Sequence, residues 1–173
     1  MQKQLYKLYG AILFITVLVV SCQRTEDPCA NLLSEGMPKQ IGVLFLDKET
    51  GESLFKIHDI DVSSIKVTNA VTGEIHKSAG LIYNPGGRPT PNNGIVRLVG
   101  IPETEGEHSY KIQMDDFGSI VIAYTSIKKE NKTNDPCSSP YYYSITDIRI
   151  VDHPFSVFEY EGKTFPEIVV VEL

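Results

Sequence analysis

Apolar side chains in this chain recur at every second position over short stretches, and nowhere do they settle into the period of a long helix. Tyr110, Ile112 and Met114 alternate with Lys111 and Gln113, and Ile65 and Val67 alternate with Lys66 and Thr68. Successive side chains of an extended chain point to opposite faces, so each stretch predicts a strand with one apolar and one wet face. Ile41–Leu46 and Ser119–Ile127 are apolar at both parities, which predicts strands placed centrally or under a loop. Across Ser144–Val151 the phase changes, with Ile145 on one parity and Ile148 and Ile150 on the other. An extra residue in a bulge produces that shift.

Turn formers divide these stretches at short intervals. Thr50-Gly51 follows the first strand, Thr72-Gly73 closes the next, and Glu161-Gly162 separates Phe155–Tyr160 from Lys163–Phe165 as a tight hairpin. Ile168–Val171 is a last apolar strand that docks the C-terminus into the core. Only Asn31–Leu33 and the region around Ser34 hint at a short helix. Short strands closed by such turns predict an all-β fold, an antiparallel β-sandwich of about seven to nine strands. The expected organisation is a signal segment over residues 1–21, a tether over 22–40 and one sandwich domain over 41–173.

At the N-terminus Lys3 and Lys7 precede the run Ala11–Val20, apolar but for Thr16, which ends in Ser21-Cys22. A bilayer-spanning helix needs about 20 apolar residues, whereas the apolar region of a secretory signal needs roughly 7–15. The run reads as a cleaved export signal. Leu18-Val19-Val20-Ser21-Cys22 also resembles the lipobox of bacterial lipoproteins, with a small residue directly before the cysteine and Val19 and Val20 at positions where Leu and Ala or Ser are commoner. The resemblance implies removal of residues 1–21 and attachment of lipid to Cys22, the alternative being an ordinary signal peptide in which Cys22 is incidental. More than one acyl chain gives stable anchoring. A partner follows from this: the membrane, reached through lipid on Cys22.

Gln23-Arg24-Thr25-Glu26-Asp27-Pro28 cannot bury apolar surface and reads as a polar tether. Its acidic pair resembles the acidic stretches after the lipidated cysteine in surface-exported lipoproteins of Bacteroidetes-type bacteria. The expected location is the cell envelope, at the outer membrane, on its periplasmic face or the cell surface. The chain carries 16 Lys and Arg against 22 Asp and Glu. Loss of Lys3 and Lys7 with the signal makes the balance still more acidic, so a nucleic acid, which is held by Lys and Arg clusters, is not an expected partner.

With Cys22 committed to lipid, Cys29 and Cys137 remain as an even pair in an oxidising compartment. An internal bridge between them would be worth about 4–5 kcal/mol in the chain-entropy model. Two free thiols, or a bond to another chain, are the alternatives.

Asp47-Lys48-Glu49-Thr50-Gly51-Glu52-Ser53-Leu54 after the opening strand, then Ile65-Lys66-Val67, then Cys137-Ser138-Ser139 leading into a strand, together resemble a set of small Bacteroidetes lipoproteins. A strand followed by a Thr-Gly-Glu turn is similar to many extracellular sandwiches, including the transthyretin-like and carboxypeptidase-regulatory types, and the expected sandwich is immunoglobulin-like or transthyretin-like. The resemblance implies a sandwich at the cell envelope and no catalytic residues.

The residues that carry chemistry are few. His58, Asp59 and Asp61 follow Phe55–Ile57, where they read as solvated strand-end side chains before they read as metal ligands. His76, His108 and His153 are scattered, and no serine sits in a Gly-x-Ser-x-Gly elbow. Glu103, Glu105, Glu107, Asp115 and Asp116 flank one strand and could gather at one end of the sheet, as calcium would require, or serve as solvated turn residues. No cofactor is implied.

Two features resemble binding equipment. The stretch Asn84–Gly94 is a long loop rich in turn formers with Arg88 as its only charge. Tyr141 and Tyr143, in Pro140-Tyr141-Tyr142-Tyr143, share a face of a strand and could stack on a sugar or peptide, although one face of that strand belongs to the core. Three functions follow. The first is a non-catalytic module that binds a glycan, a peptide or a surface-complex partner. The second is a structural or assembly lipoprotein that pairs through a sheet edge. The third is a hydrolase, which requires a buried histidine beside an acid or hydroxyl in a pocket.

Overall fold

The computed structural model describes residues 29, 39–58, 60–76, 81–82, 88–133 and 137–173. The signal segment, Cys22, most of the tether and the Asn31–Leu33 stretch lie outside the described residues. The chain divides into two compact units, residues 1–34 with 134–137, and residues 35–133 with 138–173. In the first, Cys29 and Cys137 form a disulfide with a Cα–Cα separation of 5.3 Å.

The second unit is an all-β sandwich. Its strands are β1 (Gln40–Leu46), β2 (Lys66–Asn69), β3 (Leu81–Ile82), β4 (Val96–Val99), β5 (Gly106–Met114), β6 (Gly118–Glu130), β7 (Tyr141–Ile150), β8 (Phe155–Tyr160) and β9 (Lys163–Glu172). One sheet has the order β3-β4-β1-β9-β8 and the other β2-β5-β6-β7. The two runs that are apolar at both parities become β1 and β6, both flanked by strands on either side.

Alternation on the facing strands builds the core between the sheets. Ile41, Val43 and Phe45 of β1 meet Tyr110, Ile112 and Met114 of β5 and Ile120, Ile122 and Tyr124 of β6 in one buried cluster. The opposite parity of β1 and β9 builds a second cluster on the other face of the five-stranded sheet, where Leu44, Ile95, Phe158 and Ile168 are buried. Gly42 lies under this cluster. A Cβ there would stand 2.8 Å from Ile95 Cγ2 and 2.9 Å from Ile168 Cγ1, so only glycine lets these side chains close over the sheet.

Turn chemistry fixes the registers. At Glu161 (φ 50°) and Gly162 (φ 73°) two successive residues take positive φ, the pattern of a two-residue hairpin turn, and Tyr160 pairs with Lys163. The expected bulge is in β7: the β6–β7 register shifts between Ala123 and Thr125, opposite Asp147, which takes φ 53°.

The structure departs from the sequence reading in four places. β1 and β9 pair in parallel, and among the described residues every other ladder is antiparallel. The last strand thus seats its apolar residues beside the first. Lys163–Phe165 and Ile168–Val171 are parts of a single strand, β9, and Pro166 sits where the β8 register skips from Phe165 to Val169. A residue without an N–H fits that unpaired position. Phe55–Ile57 belongs to a helical turn, α1 (Leu54–Ile57), because consecutive Leu54 and Phe55 are both buried in the same cluster; neighbours in a strand would point apart. Finally, the acids around β5 do not gather. Glu103 and Glu105 precede one end and Asp115 and Asp116 follow the other, and nine residues at about 3.4 Å each separate the ends.

Candidate functional site

The site grows from a length mismatch between neighbouring strands. β5 ends its pairing with β6 at Gly106–Ser126, yet β6 continues to Glu130 and stays paired with β7. Ile127–Glu130 and Tyr141–Ser144 therefore form a two-stranded ribbon past the end of β5. A two-stranded hairpin alone is marginally stable, so the ribbon needs local support. Asn131 supplies part of it, its backbone N–H donating to Pro140 O at 2.8 Å and its side-chain Nδ2 to Ser139 O at 3.0 Å. The Ser139 hydroxyl donates to Tyr141 O at 2.8 Å.

Register decides what the ribbon presents. Tyr141 stands opposite Glu130, Tyr142 opposite Lys129 and Tyr143 opposite Lys128. Directly paired residues share a face, so Tyr141, Tyr143, Lys128 and Glu130 lie on one side and Tyr142 and Lys129 on the other. Tyr141 and Tyr143 do share a face, and it is the continuation of the core side, since Ile145 and buried Ser126 are paired on it. Beyond the core its residues are only partly covered, Tyr141 exposed and Tyr143 half-buried, and Tyr142 on the opposite side is exposed as well.

Lysines stand over these rings. Lys128 Nζ lies 3.9 Å from the Tyr141 ring centroid, on the diagonal of the same face. Lys39, the residue before β1, places its Nζ 5.6 Å from the Tyr142 ring and 5.7 Å from the Tyr143 ring. That ammonium has no hydrogen-bond partner among the described residues. Burial holds its pKa below the ordinary lysine value, with the charge of Glu103 opposing the shift. Lys129, Glu130, Asn131, Lys132, Thr133 and Tyr142 line an open groove at the end of the ribbon. Four lysines and three tyrosines thus meet at one end of the four-stranded sheet, with Glu130 among them.

Arg88 lies elsewhere. It is exposed on the loop before β4, and its charge acts on Tyr160, at the β8–β9 hairpin. The described part of that loop is closed by a turn in which Thr90 and Asn93 exchange backbone hydrogen bonds of 2.8 and 3.0 Å. The cations over Tyr141, Tyr142 and Tyr143 are Lys39 and Lys128, and Arg88 is not among them. Residues 83–87 of the loop lie outside the described residues.

The histidines sit in three settings, with His76 and His108 at the two ends of one stack through Tyr110 and Tyr124, whose rings are 6.3 Å apart. His58 packs on Phe117 and His76 on Tyr110, each with ring centroids 4.8 Å apart. His108 stacks on Tyr124 at 5.2 Å and its Nε2 is 3.0 Å from Thr104 O. Tyr110 and Tyr124 are buried between the sheets, and burial pushes both hydroxyls above the usual tyrosine range. His153 Nδ1 is 3.1 Å from Asp152 Oδ1, in a geometry that makes no hydrogen bond. Asp152 is instead held by the Val121 N–H at 2.9 Å. Ser156 lines the same cavity as His153, but no hydrogen bond joins them. Asp61 caps the turn Val62–Ser64 by accepting from Ser63 N and Oγ, and these bonds hold its carboxyl below the ordinary range. Glu107 is paired with Arg149, and Asp115 lies 3.9 Å from Lys66. Among the described residues no three His, Cys, Asp or Glu side chains converge as a metal site would require; Asp59 lies outside them.

The tyrosines were legible in the sequence and the lysines were not. Lys128 and Lys129 are ordinary surface residues until the β6–β7 register sets them against Tyr141–Tyr143, and Lys39 is remote in sequence. No family model, curated protein or solved structure matches the chain.

Proposed function

We propose that this chain is a membrane-anchored envelope lipoprotein, held by lipid on Cys22, that works as a non-catalytic binding module. Its ligand is a glycan, a peptide or a surface-complex partner of anionic character, taken up at the β6–β7 ribbon. The observation that carries the reading is Lys128 Nζ 3.9 Å over the exposed Tyr141 ring, with Lys129, Lys132 and Tyr142 along the adjoining groove. This cationic and aromatic surface belongs to a chain of net charge −6. Lysines attract an anionic chain, and ring faces and hydroxyls contact its apolar and polar parts.

The lipidated chain in detergent, titrated with polygalacturonate, gives saturable binding that weakens with salt, and dextran gives none. Substituting Lys128, Lys129 and Lys132 together by alanine abolishes it. Failure of every anion to bind, soluble polyanions and anionic vesicles alike, or binding indifferent to those three lysines, contradicts the reading.

A second reading, assembly through a sheet edge, is favoured by β8. It is an edge strand with Phe155 and Val157 each 40% exposed, and an apolar open edge is a template for another strand. Sedimentation of the lipidated chain that shows self-association, abolished by Val157→Lys, supports this reading.

A further inference from the structure

We infer that the ribbon's anionic ligand is the phosphate-bearing surface of the membrane that holds the anchor, so that the ribbon rests on lipid headgroups. The inference rests on the lipid-anchored, anion-binding reading above and names the ligand of that same surface. Two independent observations lead to it.

The first is the reach of the chain. Positions 22 and 29 are seven residues apart, which spans at most roughly 25 Å at full extension. Cys29 is bonded to Cys137, and positions 137 and 141 are four residues apart, a reach of at most roughly 14 Å. A lipid on Cys22 is therefore tied by a short covalent path to the strand that carries the tyrosines. Without the disulfide the path to the sandwich would run from position 22 to the start of β1 at Gln40, eighteen residues. The bridge shortens the leash and delivers it to the ribbon.

The second is the chemistry of what the leash brings to the bilayer. Lysines near an anionic membrane surface are attracted to it, and tyrosines settle at the headgroup level with an apolar ring inward and a hydroxyl in water. Lys128, Lys129 and Lys132 are exposed on or beside the ribbon, as are Tyr141 and Tyr142. Among the described residues the acids near them are Glu130, on the ribbon itself, and Glu103, which acts on Lys39; Asp135, three positions after Lys132, lies outside the described residues. β8, by contrast, carries a single acid, Glu159, and no lysine or arginine, so it has nothing with which to hold phosphate.

The test uses the intact lipidated chain reconstituted in vesicles of phosphatidylcholine, with and without phosphatidylglycerol, and reads amide hydrogen exchange by segment. In the anionic vesicles, segments 127–133 and 139–143 are expected to exchange at least about tenfold more slowly than in neutral ones, with 155–160 unchanged. High salt removes the difference, as does the triple variant Lys128→Glu, Lys129→Glu, Lys132→Glu. Cys29→Ala with Cys137→Ala weakens it by about twofold, the dilution expected when a leash grows from about eleven residues, seven to the bridge and four beyond it, to eighteen. Equal exchange in both vesicle types overturns the inference. If polygalacturonate then protects the same segments, the anion-binding reading survives and only the membrane assignment falls. If neither polygalacturonate nor vesicles protect them, both fall.

Discussion

The two long edge strands of this sandwich solve the same problem in opposite ways. β7 closes one side of the four-stranded sheet and β8 one side of the five-stranded sheet. Among the described strands each has a neighbour on one side only, and an open strand edge invites another strand. β7 is kinked by the bulge at Asp147, and its outer half carries tyrosines under lysines. Twist and charge discourage strand addition, and the same charge makes a surface for an anion. β8 has aromatic and β-branched residues with Phe155 and Val157 exposed. The difference teaches that edge chemistry, more than the sandwich itself, divides the candidate functions: a polar ligand at β7 and a protein strand at β8.

The largest effect that sharpens this contrast is expected at the disulfide. The bridge joins residues 108 apart in sequence, and the chain-entropy model gives about 4–5 kcal/mol for a loop of that size. Urea denaturation of Cys29→Ser with Cys137→Ser should show a loss approaching that value, with exchange near Tyr141 rising ahead of exchange in β8. A change of less than about 1 kcal/mol would mean that the bridge does not constrain the unfolded chain as that model requires.

Within β8 the two phenylalanines separate packing from surface. Phe158 is 6% exposed in the second cluster and Phe155 is 40% exposed. Phe158→Ala should cost about 3 kcal/mol and Phe155→Ala less than about 1 kcal/mol by thermal or urea unfolding. Equal costs would show that Phe155 is already covered and that β8 is not an open apolar edge.

The smallest effect belongs to the ribbon. Lys128→Ala removes one exposed cation–π contact and should lower stability by only about 0.5 kcal/mol. Its effect on polyanion binding should be far larger. A large stability loss would instead make Lys128 a structural residue.

Much of the sandwich was legible because its physics is local. Alternation at Tyr110–Met114 set the buried face of β5, and Glu161-Gly162 set the β8–β9 hairpin. Even the bulge in β7 was written as a phase change between Ile145 and Ile148. What could not be read depended on remote partners. The parallel pairing of β1 with β9 follows from two apolar strands at opposite ends of the chain finding each other, and neither carries a local mark of direction. α1 was hidden because Leu54 and Phe55 are compatible with a buried strand until the core claims both on one side. The candidate site was half legible: Tyr141 and Tyr143 stood out by type, whereas Lys39, Lys128 and Lys129 gained meaning only from register. Arg88 was distinctive by composition alone, and its charge acts on Tyr160 at the β8–β9 hairpin.

The proposed anchor at Cys22 decides whether the ribbon meets a membrane at all, and the intact mass of the protein isolated from its native source tests it most directly. The account predicts a mature chain that begins at Cys22 and carries diacylglyceryl on that thiol, with Cys29 and Cys137 still bonded. A chain with an unmodified Cys22, or one cut at another position, would contradict it.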